Sequence, residues 1–227
     1  MSSVDAIVLV SGGMDSLICA AIATQARQNV AFLHMNYGQR TGKREAQAFN
    51  QIADHYGISQ ERRKTIDMSF LGQIGGSSLT DQTIAVKKFA GDSDEIPSSY
   101  VPFRNSIILS LAVSWAEVLG ASKLYIGANF EDSPGYPDCR PSYYEAFNRL
   151  IKEGTKDGSI QIETPVIMMK KKDIVRKGAE LKVPFELSWS CYERSDVACG
   201  VCDSCALRLR GFKEAGIKDP ITYDKES

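Results

Sequence analysis

The chain has 227 residues, of which 43% are hydrophobic and 24% charged, and its formal net charge is -1. That balance is the one expected of a globular protein with one large core, or with one domain and a small appendage. No apolar run approaches the roughly 20 residues that a membrane-spanning helix requires, and a net charge near zero provides no global basic field for gripping a phosphate backbone. Neither a membrane nor a direct nucleic-acid partner is expected. The opening MSSVDAIV lacks a basic stretch followed by a signal-peptide core, so a cytoplasmic location is expected.

In chain order, residues 4–10 (VDAIVLV) make a short, β-branched apolar run, and the alanine-rich residues 17–28 that follow the turn SGGMDS read as a helix. Further strand patterns fall at 30–35, 64–67, 123–128 and 160–166, with helical patterns at 43–56, 106–119 and 143–153. Alternation of this kind predicts an α/β fold, a mainly parallel sheet with helices on both faces. Ligands of such sheets bind beyond the C-terminal ends of the strands, where SGGMDS falls. Residues 72–100 are polar, rich in Gly and Ser and without sustained period, so they read as a long loop, either a binding segment or a surface excursion. After residue 183 come a cysteine-bearing loop, a short basic helix at 204–215 and a polar tail. The expected organisation is an α/β unit over 1–183 and a small metal-binding region over 184–227.

In SGGMDS, glycines let the backbone approach a bulky anion, and the N–H groups and positive dipole end of the next helix favour a phosphate. Ser11 and Ser16 add hydroxyls. Asp15 is out of place in a bare anion nest but fits beside a Mg²⁺-bound pyrophosphate. The structural alternative is a plain strand–turn–helix junction capped by Ser11 or Asp15. No lysine follows the glycines, which excludes a GK[ST] nucleotide loop. The whole string resembles the signature of the PP-loop ATP pyrophosphatases.

Cys191, Cys199, Cys202 and Cys205 are spaced C-x7-C-x2-C-x2-C. Two overlapping C-x2-C steps bring three thiolates round one ion, and Cys191 can fold back as the fourth of a closed, structural Cys₄ zinc site. An iron–sulfur cluster is the competing reading; unligated cysteines are a third.

Further strings narrow the resemblance: NYGQR at 36–40, YVPFRN at 100–105, SPGYPDCRP at 133–141 and SCYE…CGVCDSCALRLRGF at 190–212. With SGGMDS they run nearly end to end, and together the chain resembles the 7-cyano-7-deazaguanine synthase (QueC) family. YVPFRN carries Phe103 where that family usually has a small residue. The resemblance implies a Rossmann-like, adenine-nucleotide α-hydrolase fold, a homodimer, one structural Zn²⁺ per chain and ATP with Mg²⁺. It implies conversion of 7-carboxy-7-deazaguanine and ammonia to the nitrile, by adenylation first of the carboxylate and then of the amide. Rival readings are a PP-loop enzyme acting on tRNA, which would need a basic surface, and a non-enzymatic nucleotide-binding module.

The resemblance also implies roles. Val10, Ser11, Gly12, Gly13, Met14, Asp15, Ser16, Leu17, Ile18, Cys19 and Ala20 would form the ATP segment, with Asp15 and Ser16 at the pyrophosphate and Mg²⁺. Arg104 would contact phosphate or adenine, or else cap its helix at the surface. Lys171 would neutralise charge on the α-phosphate, or else begin a solvated helix in the run KKK. For the deazapurine, Tyr136 would stack, Asp138 accept from the guanine-like N–H edge and Arg140 fork the carboxylate, with Pro134 and Pro137 stiffening the loop; the alternative is a proline-rich turn with incidental charges. Arg208 or Arg210 would point at the site while the other balances the thiolates. His34, His55 and Cys19 read as packing, Trp115 as core and Trp189 as a loop anchor.

Overall fold

The computed structural model describes residues 3–26, 29–91, 95–130 and 135–224. Gln28 of the first expected helix and Pro134 of the proline-rich loop lie outside the described residues.

Five strands form one sheet in the order β3-β2-β1-β4-β5, every pair parallel. They are β1 (Ala6–Leu9), β2 (Val30–Asn36), β3 (Arg63–Asp67), β4 (Lys123–Ile126) and β5 (Gln161–Glu163). The chain runs outward from β1 through β2 to β3, then returns to β4 on the other side of β1. That reversal opens a crevice between the C-terminal ends of β1 and β4. β1 is apolar throughout because both faces are covered. Ile7 and Leu9 point into one core, with Leu33, Leu124 and Ile126. Ala6 and Val8 point into the other, with Phe32 and Tyr125.

The first core is closed by α4 (Arg104–Leu119), through Leu109, Ala112, Val113 and Ala116, and by α5 (Pro141–Gly154), through Tyr144, Phe147 and Ile151. Trp115 belongs to this core. The second is closed by α1 (Met14–Gln25), α2 (Gly42–His55), α6 (Lys171–Glu180) and α7 (Asp203–Ala215). Proline at the first position of α5 suits a helix start, where no N–H partner exists to lose. α6 is expected only as the alternative of a solvated helix beginning in KKK: its sequence KKDIVRKGAE buries only Ile174, Val175 and Gly178, too few apolar positions to show a clear period. α7 packs along α6, and its Phe212 meets Phe185 edge to face at 5.0 Å in the second core.

Apart from the short helix α3 (Leu71–Ile74), the 72–100 segment has no regular helix or strand among its described residues, and it is anchored. Ser77, Ser78, Leu79 and Ser99 are buried. Arg40, of NYGQR, donates to the carbonyls of Ser78 (2.7 Å), Asp81 (2.9 Å) and Ile84 (2.7 Å) and to Gln82 Oε1 (3.1 Å). Farther along, Lys88 pairs with Cys202 in an antiparallel bridge, and the Phe89 N–H donates to Val201 O (2.8 Å). One loop thus spans from the Arg40 turn before α2 to the cysteine-bearing region. Among the described residues no helix is long and apolar enough to cross a membrane.

Candidate active site

A cavity of about 500 Å³, ordinary for a small-molecule site, opens at the crevice and is lined on one side by Val10, Ser11, Gly13, Met14, Asp15 and Ser16. Gly13 caps α1 in extended conformation with no side-chain hydrogen bond to the helix, leaving the first-turn N–H groups aimed beyond the helix end. The turn is braced internally: the Gly13 N–H donates to Ser11 Oγ (3.2 Å), Ser11 Oγ to Ser16 Oγ (3.2 Å), and Ser16 Oγ to Gly13 O (2.8 Å). The two glycines do different work. Gly12 takes φ +93°, and a Cβ there would lie 2.8 Å from the carbonyl oxygen of Glu45 on α2, so its lack of a side chain serves helix packing. Gly13 faces the cavity.

The ATP segment expected over 10–20 is therefore shorter at the cavity wall. Leu17, Ile18, Cys19 and Ala20 are fully buried and Gly12 packs on α2; none of these five lines the cavity. Burial raises the Cys19 thiol well above its ordinary pKa, aided by nearby Asp15, which leaves it a neutral packing group.

Lys171, the first residue of α6, reaches Asp15 across the crevice, its Nζ 3.1 Å from Oδ1 and 3.0 Å from Oδ2. Both side chains are largely shielded, at 11% and 22% exposure. Asn129, after β4, donates to the carbonyls of Val166 (2.9 Å) and Met169 (2.7 Å) and so fixes the approach to α6. A carboxylate and an ammonium thus face each other at the N-terminus of α1, a setting suited to a polyphosphate and its cation.

The opposite wall is assembled from distant segments. Arg104 begins α4 and lines the cavity, its guanidinium 5.0 Å above the Tyr37 ring and donating to Tyr37 OH (3.1 Å). Burial opposes its charge, but the oxygens of Tyr37, Asp138, Tyr136 and Tyr192 outweigh that and raise its pKa. Tyr136 lines the cavity, bonded to Ser99 Oγ (2.5 Å) and edge to face with Tyr100. Burial pushes the Tyr37 and Tyr136 hydroxyls up to about 12, so both remain donors at neutral pH. Cys139 also faces the cavity, and burial beside Asp138 raises it to about 12. It is a thiol rather than a nucleophilic thiolate.

Two expected substrate contacts lie outside the cavity lining, and a third is fully engaged. Arg140 is exposed, caps α5 and does not line the cavity. Asp138 is buried just outside the lining: its Oδ2 accepts from the Asn105 N–H (3.4 Å) at the start of α4, and its Oδ1 has no hydrogen-bond partner. Arg208 touches the cavity, but its five N–H donors are matched by five hydrogen bonds, to Asp219 Oδ1 and Oδ2, Ser188 Oγ, Ser190 Oγ and Phe185 O. With no donor left for a substrate carboxylate, it ties α7 to the 185–190 loop and the C-terminal tail.

Sequence reasoning passed over Glu45, Tyr37 and Tyr192, all of which line the cavity. Glu45 accepts from Gln39 Nε2 (2.9 Å) and Thr41 Oγ (2.7 Å); its signal was the NYGQR string just before it. The histidines are structural: His34 is buried, stacks on Phe49 at 5.1 Å and hydrogen-bonds Val10 O through Nδ1 (2.9 Å), and His55 packs edge to face on Tyr56.

Beside the cavity, the Sγ atoms of Cys191, Cys199, Cys202 and Cys205 lie within 4.8 Å of one another, all four residues buried. Amides of Arg194 and Cys199 point at the Cys191 sulfur (3.3 and 3.4 Å), and that of Cys202 at the Cys199 sulfur (3.4 Å). The group can hold a metal ion, and such N–H···S contacts would stabilise thiolate ligands. Trp189 joins this cluster to the glycine turn. Its N–H donates to Gly12 O (2.8 Å), its indole to Arg194 O (3.1 Å), and Arg44 lies 4.6 Å above its ring.

A family model described as "Queuosine biosynthesis protein QueC" matches residues 5–216. A 7-cyano-7-deazaguanine synthase of Chloroherpeton thalassium is 61% identical over 219 residues, 96% of either chain, and one of Chlorobium chlorochromatii 58% identical over 220 residues, again 96% of either chain. Among solved structures, a predicted subunit of tRNA methyltransferase from Methanocaldococcus jannaschii shares the fold, with a TM-score of 0.50, 17% identity and coverage of 97% of this chain and 92% of that one. The glycine turn at the switch point, the four gathered cysteines and a family match over nearly the whole length lead to one conclusion: the chain belongs to the QueC family of queuosine biosynthesis proteins.

Proposed function

We propose that the chain is a 7-cyano-7-deazaguanine synthase, which makes the nitrile from 7-carboxy-7-deazaguanine, ammonia and ATP. The observation that carries the reading is a shared cavity in which the α1 N-terminus, Asp15 and Lys171 face a tyrosine-lined wall. A carboxylate is a poor electrophile, and bound Mg²⁺·ATP supplies the adenylyl group that makes its oxygen part of a leaving group. Ammonia then displaces AMP with loss of a proton, giving the amide. Adenylation of the amide oxygen allows its departure as C≡N forms, so one site serves twice.

The chain's residues chiefly position and neutralise. Ser11, Gly13, Ser16 and the α1 amides receive the phosphates, and the Asp15 carboxylate offers the divalent cation an oxygen ligand. With its carboxylate engaged as such a ligand, Asp15 would leave the Lys171 ammonium to meet charge growing on the α-phosphate. Tyr136 gives the flat deazapurine a face to stack on, and Arg104 presents a cation to its carboxylate. The unpaired Oδ1 of Asp138, just outside the wall, supports a reading in which a guanine-like N–H edge reaches it after a small movement of the loop.

Zn²⁺ is the ion we assign to the cysteines. Four sulfurs at Zn–S bonds of about 2.3 Å on a tetrahedron lie about 3.8 Å apart, in keeping with the 3.9 Å between Cys199 and Cys205. An iron–sulfur cube binds its thiolates through separate irons and spreads them wider. Mass spectrometry of the protein incubated with the acid, ammonium, Mg²⁺ and ATP tests the reading. Nitrile and AMP from the wild type and not from Asp15→Ala are expected; AMP formation with no nitrile would overturn the assigned substrate.

A further inference from the structure

Gly211 lies inside α7, where a glycine weakens the helix relative to alanine and so calls for a packing reason. The reason is Lys171. A Cβ at position 211 would lie 2.4 Å from Lys171 Cγ, 3.1 Å from its Cβ and 3.2 Å from its backbone carbonyl carbon. The lysine stem therefore leaves α6 across the bare backbone of α7, and its ammonium ends on Asp15. α7 has little freedom to retreat from an added methyl. Arg208, one turn earlier, is fixed by five hydrogen bonds, and Phe212, the next residue, is locked against Phe185 in the core. The yielding part is the lysine side chain, which must swing about Cα–Cβ into another staggered rotamer. A rotation so near the root of a long side chain carries the ammonium away from Asp15.

We propose that Gly211 is a positioning residue for the adenylation step: its missing side chain seats Lys171 in the rotamer that reaches the phosphate end of the cavity. This rests on the reading of Lys171 given above. The glycine touches no ligand and acts only through the lysine.

The test is a double-mutant cycle on the zinc-loaded full chain with G211A, K171A and both together, reading kcat for AMP release, KM for ATP and the thermal midpoint. G211A is expected to lower kcat by about 10- to 100-fold, the scale of a misplacement near one ångström, with KM changed less, and to lower the midpoint. In the K171A background, where Cγ is gone, adding G211A is expected to change kcat less than about twofold, the signature of two residues acting as a unit. The double variant should also be more stable than G211A alone. If G211A cannot be folded, recovery of a folded double variant supports the proposal, and failure of both overturns it. A G211A loss that persists undiminished on top of K171A overturns it as well. Wild-type turnover in K171A would instead remove the role assigned to Lys171, and the positioning role with it.

Discussion

At one end of the cavity six consecutive residues, Ser11 to Ser16, supply the helix terminus, two hydroxyls held by bonds within the turn, and a carboxylate held by Lys171. At the other end Tyr37, Arg104, Tyr136 and Tyr192 arrive from four separate segments, and many of their polar atoms bind one another or nearby loops. The first end is backbone presented to a ligand, so it depends on what packs behind it. The second is a cage of side chains, whose shape depends on mutual contacts. Changes at the two ends should therefore fail differently, in kcat and ATP binding at the first, and in affinity for the acid at the second.

The sharpest break is expected from Gly127→Ala. A Cβ there would sit 2.6 Å from Ser16 N and 2.7 Å from the Asp15 carbonyl carbon, both backbone atoms with little room to move. Displacing the α1 terminus should cut AMP release by about 100-fold or more while circular dichroism stays native; retention of activity would show that the turn tolerates movement. At the other end, Arg104→Lys keeps the charge but loses the planar fork over Tyr37. It should raise KM for the acid roughly tenfold, about 1.4 kcal/mol, the scale of one charge-assisted hydrogen bond, with KM for ATP nearly unchanged.

A smaller effect concerns pH. Burial raises the Asp138 pKa against the opposing pull of Arg104 and the Asn105 N–H. A carboxyl with a raised folded-state pKa binds more protons folded than unfolded, so its stabilisation is full below the unfolded pKa and is lost as pH rises through the folded one. Asp138→Asn should remove that decline from the stability profile measured by denaturation between acid and neutral pH; an unchanged profile would contradict the assignment. The smallest effect is expected from Arg140→Ala, at an exposed position outside the cavity wall, with steady-state constants within about twofold of wild type.

The same contrast explains what the sequence disclosed. Strand–turn–helix chemistry and C-x2-C spacing are local, so the turn, the sheet and the cysteine group were legible from the order of residues alone. Which residues of the expected ATP segment face the cavity was not legible, because position along α1 does not tell which residues face outward; Leu17 to Ala20 turn into the core. Arg208 read as a group pointing at the site because its partner, Asp219, lies in a polar tail that carries no pattern. Tyr37 and Tyr192 became visible only once the fold brought their loops together, and α6 because its two buried apolar residues meet α1 and α7.

The central claim, that one site activates first the acid and then the amide through oxygen, is tested most directly with substrate carrying ¹⁸O in both carboxylate positions. The account predicts two AMP for each nitrile, each bearing one ¹⁸O at phosphorus. Unlabelled AMP, or ADP in its place, would contradict it.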